Sequence, residues 1–210
     1  MKRVLGIMSF VIAIVILITV GLLLLIPAYR HNAQVAFNKA YVYIVSPDIP
    51  FPDIDEKILS PEQIKILEIA HQEYEKHPAN YDANVLKYTQ GQKQAWCANF
   101  ISWVMKRAGR KYTNPNSGSW RIPGVLTLRE YYEAEGRYED ASSYKPKPGD
   151  VAFYIHESTF KLFSTEHVAL VIKVDGNTMT TIGGNEGKKM RIDRQTIEAG
   201  ENNLVGFGRL

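Results

Sequence analysis

A β-hairpin signal near the C-terminus restricts the fold of this 210-residue chain more than any other feature. Residues 167–174 concentrate β-branched side chains, Asp175-Gly176 is a strong two-residue turn signal, and residues 177–182 form the return strand. Further strands are predicted at residues 151–155, 188–192 and 204–208. The sequence therefore predicts an antiparallel C-terminal sheet.

The hairpin brings polar residues together at its open end. If the two-residue loop begins at Asp175, His167 faces Gly184, and if it begins one residue later, His167 faces Glu186. In either register Asn185 lies within one residue of the partner of His167. A slip of one residue inverts the faces of a strand, so the sequence leaves open which side chains share a face.

A helix that begins near the only cysteine precedes this sheet. Small or apolar side chains recur at helical spacing, at Cys97, Phe100, Ile101, Val104, Met105 and Ala108. Gly109 follows as the expected C-terminal cap. The free amide groups of a helix N-terminus favour a thiolate, so Cys97 is either a nucleophile or a small buried hydrophobe.

Two other helices complete an α+β fold. Ser60 is a candidate N-cap with Pro61 at the first helical position and Gln63 at the capping-box position, and this helix should end before Pro78. A short helix is expected around residues 126–135.

The N-terminal 29 residues differ from the rest of the chain. Residues 4–29 contain no charged side chain, and about 23 apolar residues of helix would span roughly 35 Å, enough to cross a bilayer. We interpret residues 1–29 as an uncleaved transmembrane anchor, residues 30–59 as a linker and residues 60–210 as the functional domain. The short basic head, Lys2 and Arg3, predicts a single-pass membrane protein with this domain outside the cytoplasm.

Composition excludes several other classes. The 25 basic and 22 acidic side chains differ by three, and the three basic residues Lys2, Arg3 and Arg30 account for this excess. No basic track interleaved with aromatic residues suggests nucleic-acid binding. One cysteine excludes an internal disulfide, and no Cys/His cluster has zinc-ligand spacing.

The chemistry-bearing residues fit cysteine nucleophilic catalysis. Cys97 would be the nucleophile, His167 the base and Asn185 the group that orients the imidazole. Gln92 or Gln94, with the backbone N–H of Cys97, could stabilise an oxyanion. This mechanism requires neither a metal nor another cofactor.

Other residues offer alternative roles. His156 also follows a strand and is an alternative base, although no hairpin positions an orienting residue for it. Asp150 is interpreted as an anchor of the turn before a strand. Glu186 either tunes the site or is a solvated loop carboxylate.

Four segments in order resemble the CHAP domain (cysteine, histidine-dependent amidohydrolase/peptidase), within the papain-like NlpC/P60 group. They are Trp96-Cys97-Ala-Asn-Phe-Ile-Ser-Trp-Val, Lys-Pro-Gly149-Asp150-Val-Ala-Phe-Tyr, His167-Val-Ala-Leu-Val-Ile and Thr181-Ile-Gly-Gly-Asn185. The resemblance covers roughly residues 60–210 and implies a papain-like fold with catalytic Cys97, His167 and Asn185. It also implies a peptidoglycan hydrolase, either an N-acetylmuramoyl-L-alanine amidase or an endopeptidase.

One departure from the family keeps other functions open. Many members have Glu-Gly-Asn where this chain has Gly183-Gly184-Asn185, and Glu186 is an uncertain substitute for the missing acid. The alternatives are a catalytically silent, membrane-tethered wall-binding module, and a transpeptidase or processing protease that acts on a protein. A regulatory protein partner is a further open question.

Overall fold

A computed structural model describes residues 21, 49–78, 80, 82–156 and 165–210. The chain divides into two compact units, Met1–Pro47 and Asp48–Leu210. The predicted anchor, apart from Gly21, and most of the predicted linker lie outside the described residues. Within the ranges that the structure describes, no helix has the length and apolar character needed to span a membrane.

Four α-helices lie in the described part of the second unit: α1 (Pro61–Tyr74), α2 (Ala83–Leu86), α3 (Cys97–Ala108) and α4 (Val125–Ala134). The predicted capping box of α1 is confirmed, since Gln63 N donates to Ser60 Oγ (3.2 Å) and Ser60 N donates to Gln63 Oε1 (2.9 Å). Helix α3 ends at Gly109 in the left-handed conformation (φ 93°), as predicted. Short 3₁₀ turns occur at Glu56–Ile58 and Glu201–Asn203.

Six antiparallel strands form one sheet: β1 (Tyr138–Asp140), β2 (Val151–His156), β3 (Thr165–Asp175), β4 (Thr178–Glu186), β5 (Lys189–Thr196) and β6 (Leu204–Gly208). Their spatial order is β1-β6-β2-β3-β4-β5. The α+β prediction is confirmed. Strand β1 was not predicted, because three polar-flanked residues at a sheet edge show no alternating pattern.

The hairpin register differs from both predicted registers at its open end. Near the turn Asp175 pairs with Thr178, which is the second predicted register. Ile172 is then an extra residue, because Val171 pairs with Thr181 and Lys173 with Thr180. The ladder ends with Ala169 opposite Gly183, so its continuation would set His167 against Asn185. The sequence-based registers assumed regular pairing, and a bulge shifts pairing by one residue.

The helices cover one face of the sheet. The larger core includes Phe100 and Ile101 of α3 together with Val168, Leu170 and Ile182 of the sheet, all fully buried. A smaller cluster lies on the opposite face and contains Ala152, Val171, Met179, Leu204, Phe207 and Ala141. Strand alternation places His167 and Ala169 on this second face.

A glycine on β4 permits the close approach of α3. A Cβ at Gly184 would overlap the Trp96 ring and lie 3.3 Å from Phe100 Cβ. The side chains of Trp96 and Phe100 are fully buried, so neither can move aside without loss of packing.

We expect Gly184→Ala to lower the free energy of unfolding by about 1–3 kcal/mol through overpacking, measured by urea unfolding. Gly124→Ala is the matched control, because its nearest heavy atom, Thr127 Oγ1, lies 3.4 Å from the added Cβ. Equal stability of the Gly184 variant and the wild type would contradict tight packing between α3 and β4.

Candidate active site

Cys97, predicted near the start of a helix, is the first residue of α3, and it is 6% exposed. Trp96 is the N-cap residue, and no described side chain caps this helix end. The Trp96 indole is held in place, since its Nε1 donates to Asn80 Oδ1 (2.6 Å) and its ring stacks on Tyr88. The sulfur therefore lies among uncapped amide groups at the positive end of a rigidly packed helix.

His167 of β3 connects the thiol to a carboxylate. Its Nε2 lies 2.8 Å from Glu186 Oε1. Its ring also interacts with the side chain of Cys97, which contributes to the raised pKa of His167. Because Nε2 is used by Glu186, Nδ1 is the ring nitrogen left for the sulfur. Tyr154, the cross-strand partner of His167, stacks on the imidazole with ring centroids 6.0 Å apart.

The contacts of His167 favour its charged form. Burial alone would lower the pKa of His167, but hydrogen bonds with Cys97 and Glu186 outweigh burial and raise the pKa to about 10. For Glu186, burial is likewise outweighed by hydrogen bonds from His167 and Asp193, which lower the pKa of its carboxyl. The geometry therefore favours an imidazolium–carboxylate pair at neutral pH.

A second bulge brings Glu186 to the imidazole. In the β4–β5 ladder Gly183 pairs with Arg191 and Glu186 with Lys189, so Gly184 and Asn185 interrupt the pairing. Asn185 has φ 65°, a left-handed conformation that asparagine adopts more readily than most residues. The turn returns the Glu186 side chain to the face that Gly183 occupies.

The missing side chain at position 183 makes room for this carboxylate. A Cβ at Gly183 would overlap Glu186 Oε1 and lie 2.8 Å from His167 Nε2. The side chain of Glu186 is 17% exposed, so its interpretation as a solvated loop carboxylate is wrong. In the Glu-Gly-Asn pattern the acid stands at the position of Gly183, whereas here the acid that contacts the imidazole is Glu186, three residues later in the chain.

The structure places the other candidate residues as follows. At Nε2 of His167 it places the carboxylate of Glu186, rather than the amide of Asn185, so the orienting role of Asn185 stays a prediction. His156 ends β2, where it pairs with Thr165. Asp150 is 3% exposed and accepts hydrogen bonds from Lys147 N (2.8 Å) and Leu210 N (3.0 Å), so its interpretation as a turn anchor is confirmed.

The two candidate oxyanion donors differ in their partners. Gln92 Oε1 accepts a hydrogen bond from Arg121 Nη2 (3.3 Å). Gln94 Nε2 is buried, and no described atom accepts a hydrogen bond from it. Gln94 therefore holds an unused donor three residues before Cys97. Leaving a buried amide donor without a partner costs free energy, so a substrate oxygen that accepted this hydrogen bond would be stabilised.

Sequence reasoning missed two residues around the site. Asn99, fully buried in the first turn of α3, donates to Ala95 O (2.9 Å) and accepts from Arg121 Nη1 (2.9 Å), which fixes the segment before Cys97. Asp193 of β5 makes a side-chain hydrogen bond with Glu186. The sequence prediction ended this strand at residue 192, one residue before Asp193, so no sequence signal pointed to Asp193; the observed strand continues to Thr196.

An open cavity of about 390 Å³ lies beside His167 and Glu186. Its lining includes Tyr154, His167, Thr181, Glu186, Asp193 and Gln195. Across the described ranges, no group of three or more His, Cys, Asp or Glu side chains could hold a metal ion.

Comparisons with known proteins give one family match for this region. The family model described as CHAP domain matches residues 88–185, and CHAP domains belong to the papain-like cysteine peptidase and amidase superfamily. No curated protein matches the sequence. A solved structure, "The crystal structure of Ly7917", aligns at 13% identity with a TM-score of 0.44 over 70% of this chain and 62% of that chain. The chain thus spans less than two thirds of that protein's length.

The raised pKa of His167 predicts a pH-dependent stability. Its unperturbed value is 6.5 and its folded value about 10, so the ion pair stabilises fully below about pH 6.5 and is lost as pH rises through 10. We expect the free energy of unfolding of the wild type to fall towards that of His167→Gln across this range, measured by urea unfolding. His71→Gln, at a histidine whose side chain is 51% exposed, is the control. A difference between wild type and His167→Gln that is independent of pH would contradict the ion pair.

Proposed function

We propose that this chain is a cysteine hydrolase that cleaves amide bonds in peptidoglycan, because the CHAP domain model matches residues 88–185. Its reaction would be that of an N-acetylmuramoyl-L-alanine amidase or an endopeptidase. The observation that carries the proposal is the contact of His167 with both Cys97 and Glu186 at the N-terminus of α3.

The proposed reaction proceeds by acyl transfer. The Cys97 thiolate attacks the amide carbonyl carbon, and the imidazolium of His167 gives its proton to the leaving amine nitrogen as the C–N bond breaks. The acyl group remains on sulfur as a thioester. The neutral imidazole then takes a proton from water, whose oxygen attacks the thioester carbonyl and releases the carboxylic acid and the Cys97 thiolate.

Glu186 would hold the imidazole in the required tautomer and stabilise its positive charge, as a carboxylate does in Ser-His-Asp enzymes. The carbonyl oxygen becomes negative during attack. The backbone N–H of Cys97, at an uncapped helix end, and the unused donor of Gln94 are the candidates to bind it.

Glu186 also bears on the alternative of a silent wall-binding module. That alternative drew support from the absence of an acid at Gly183. A carboxylate 2.8 Å from His167 Nε2 supplies an acid by another route, so the observation now favours an active enzyme.

The location of the enzyme is part of the proposal. The uncharged segment of residues 4–29 would anchor the chain in the cell membrane with its CHAP domain outside the cytoplasm. This arrangement would hold the domain beside the polymer that it cleaves.

We expect the full-length chain to release new amino groups from purified peptidoglycan, and Cys97→Ala to abolish this release because the nucleophile is lost. The identity and configuration of the new N-terminal residue assign the bond: the L-alanine next to the glycan indicates the amidase, and any other residue, D-alanine included, indicates the endopeptidase. Equal release by Cys97→Ala would exclude a cysteine mechanism.

The origin of the orienting acid can be tested by moving it. We expect Glu186→Ala to lower kcat on the order of 100-fold through loss of imidazole orientation. The double variant Gly183→Glu/Glu186→Ala should regain part of this activity, because a side chain at 183 projects into the same space.

Asn185→Gly tests the sequence-based assignment in the same assay, since glycine keeps the left-handed backbone and deletes the amide. A larger loss from Asn185→Gly than from Glu186→Ala would assign the orienting role to Asn185.

A further inference from the structure

We propose that Asp193 is a positioning residue whose protonated carboxyl donates a hydrogen bond to Glu186 and thereby holds that carboxylate against His167. This inference rests on the proposed function, because it concerns the geometry of the same base. It adds a fourth member to the group that begins at the Cys97 thiol.

The strand geometry brings Asp193 to the site. On β5, Asp193 pairs with Thr181 of β4, and Arg191 pairs with Gly183. Strand β4 lies between β5 and β3, the strand that carries His167. The bulge at Gly184 and Asn185 returns Glu186 to the face of the sheet on which His167 lies, and Glu186, His167 and Asp193 line the same cavity.

The contact between the two acids requires a proton. An ionised carboxylate only accepts hydrogen bonds, so two of them in contact repel unless one is protonated. Glu186 faces the imidazolium at 2.8 Å, which favours its ionised form. The proton therefore belongs to Asp193.

The electrostatics of Asp193 agree with this assignment. Burial, a hydrogen bond with Glu186 and the charge of Glu186 raise the pKa of Asp193 to about 7, against the opposing charges of Arg191 and His167. Arg191 Nη2 lies 3.4 Å from Asp193 Oδ1, which leaves Oδ2 for the proton.

The same neighbours determine what happens as pH rises. The titratable and charged groups that face Asp193 are Tyr154 of β2, His167 of β3, Glu186 of β4, and Arg191 and Arg194 of β5. Above about pH 7 Asp193 loses its proton, so the donor to Glu186 is replaced by a like charge that only the arginines and His167 offset. The support of Glu186 is then weakened.

The test follows the His167 ring by NMR in the full-length chain, labelled with ¹⁵N-histidine and kept in a mild detergent because of its apolar N-terminal stretch. The His167 signals are assigned with His167→Gln. We expect an inflection near pH 7 in the wild type, well below the titration of His167 itself, and no such inflection in Asp193→Asn or Asp193→Ala. Asp175→Asn, at an exposed acid at the turn end of the same hairpin, is the matched control and should keep the inflection.

Activity on peptidoglycan supplies the second readout. Asp193→Ala should lower kcat by about 10–100-fold because the donor is lost, whereas Asp193→Asn, whose amide donates at every pH, should stay within about threefold of wild type. An inflection that persists in Asp193→Asn, or an equal loss of kcat in both variants, would overturn the inference. Thermal unfolding checks that each variant folds, and if Asp193→Ala does not fold, the NMR result for Asp193→Asn decides.

The two proposals fail differently. A wild type that cleaves no peptidoglycan but shows the Asp193-dependent inflection would contradict the proposed function and support the positioning role. Cleavage that depends on Cys97, with an inflection that Asp193→Asn leaves unchanged, would do the reverse.

Discussion

The 2.8 Å contact between His167 and Glu186 is the interaction on which the candidate site depends. It fixes Nε2 of the imidazole and thereby leaves Nδ1 for the Cys97 sulfur. It also favours the charged imidazole, since hydrogen bonds from Cys97 and Glu186 overcome the burial that would otherwise lower the pKa of His167. Without this carboxylate, the imidazole would keep only its stacking on Tyr154 and its interaction with Cys97.

Two irregularities in the sheet create that contact. The extra residue Ile172 shifts the β3–β4 register by one residue, and the turn at Gly184 and Asn185 directs Glu186 back towards the imidazole. Such bulges often re-aim side chains next to active sites. The absent side chain at Gly183 completes the arrangement, because the Glu186 carboxylate occupies the space into which a side chain there would project.

Local signals in the sequence were sufficient for much of this fold. The capping box at Ser60 and Gln63, the start of α3 near Cys97 and its end at Gly109 were all predictable, because caps and helix periodicity involve residues within a few positions of each other. The hairpin was predictable for the same reason. The bulge at Ile172 was not predictable, because this residue lies within a run of apolar strand residues and no turn residue marks it.

The sequence by itself determined which residue types could do chemistry: one cysteine at a helix start, one histidine on a hairpin strand, and polar residues at the open end of that hairpin. Only the tertiary structure decided which acid contacts the imidazole, because a one-residue shift in pairing exchanges the faces of a strand. It also brought Asp193 of a separate strand to Glu186, a contact between neighbouring strands that depends on how β4 bends rather than on any local pattern.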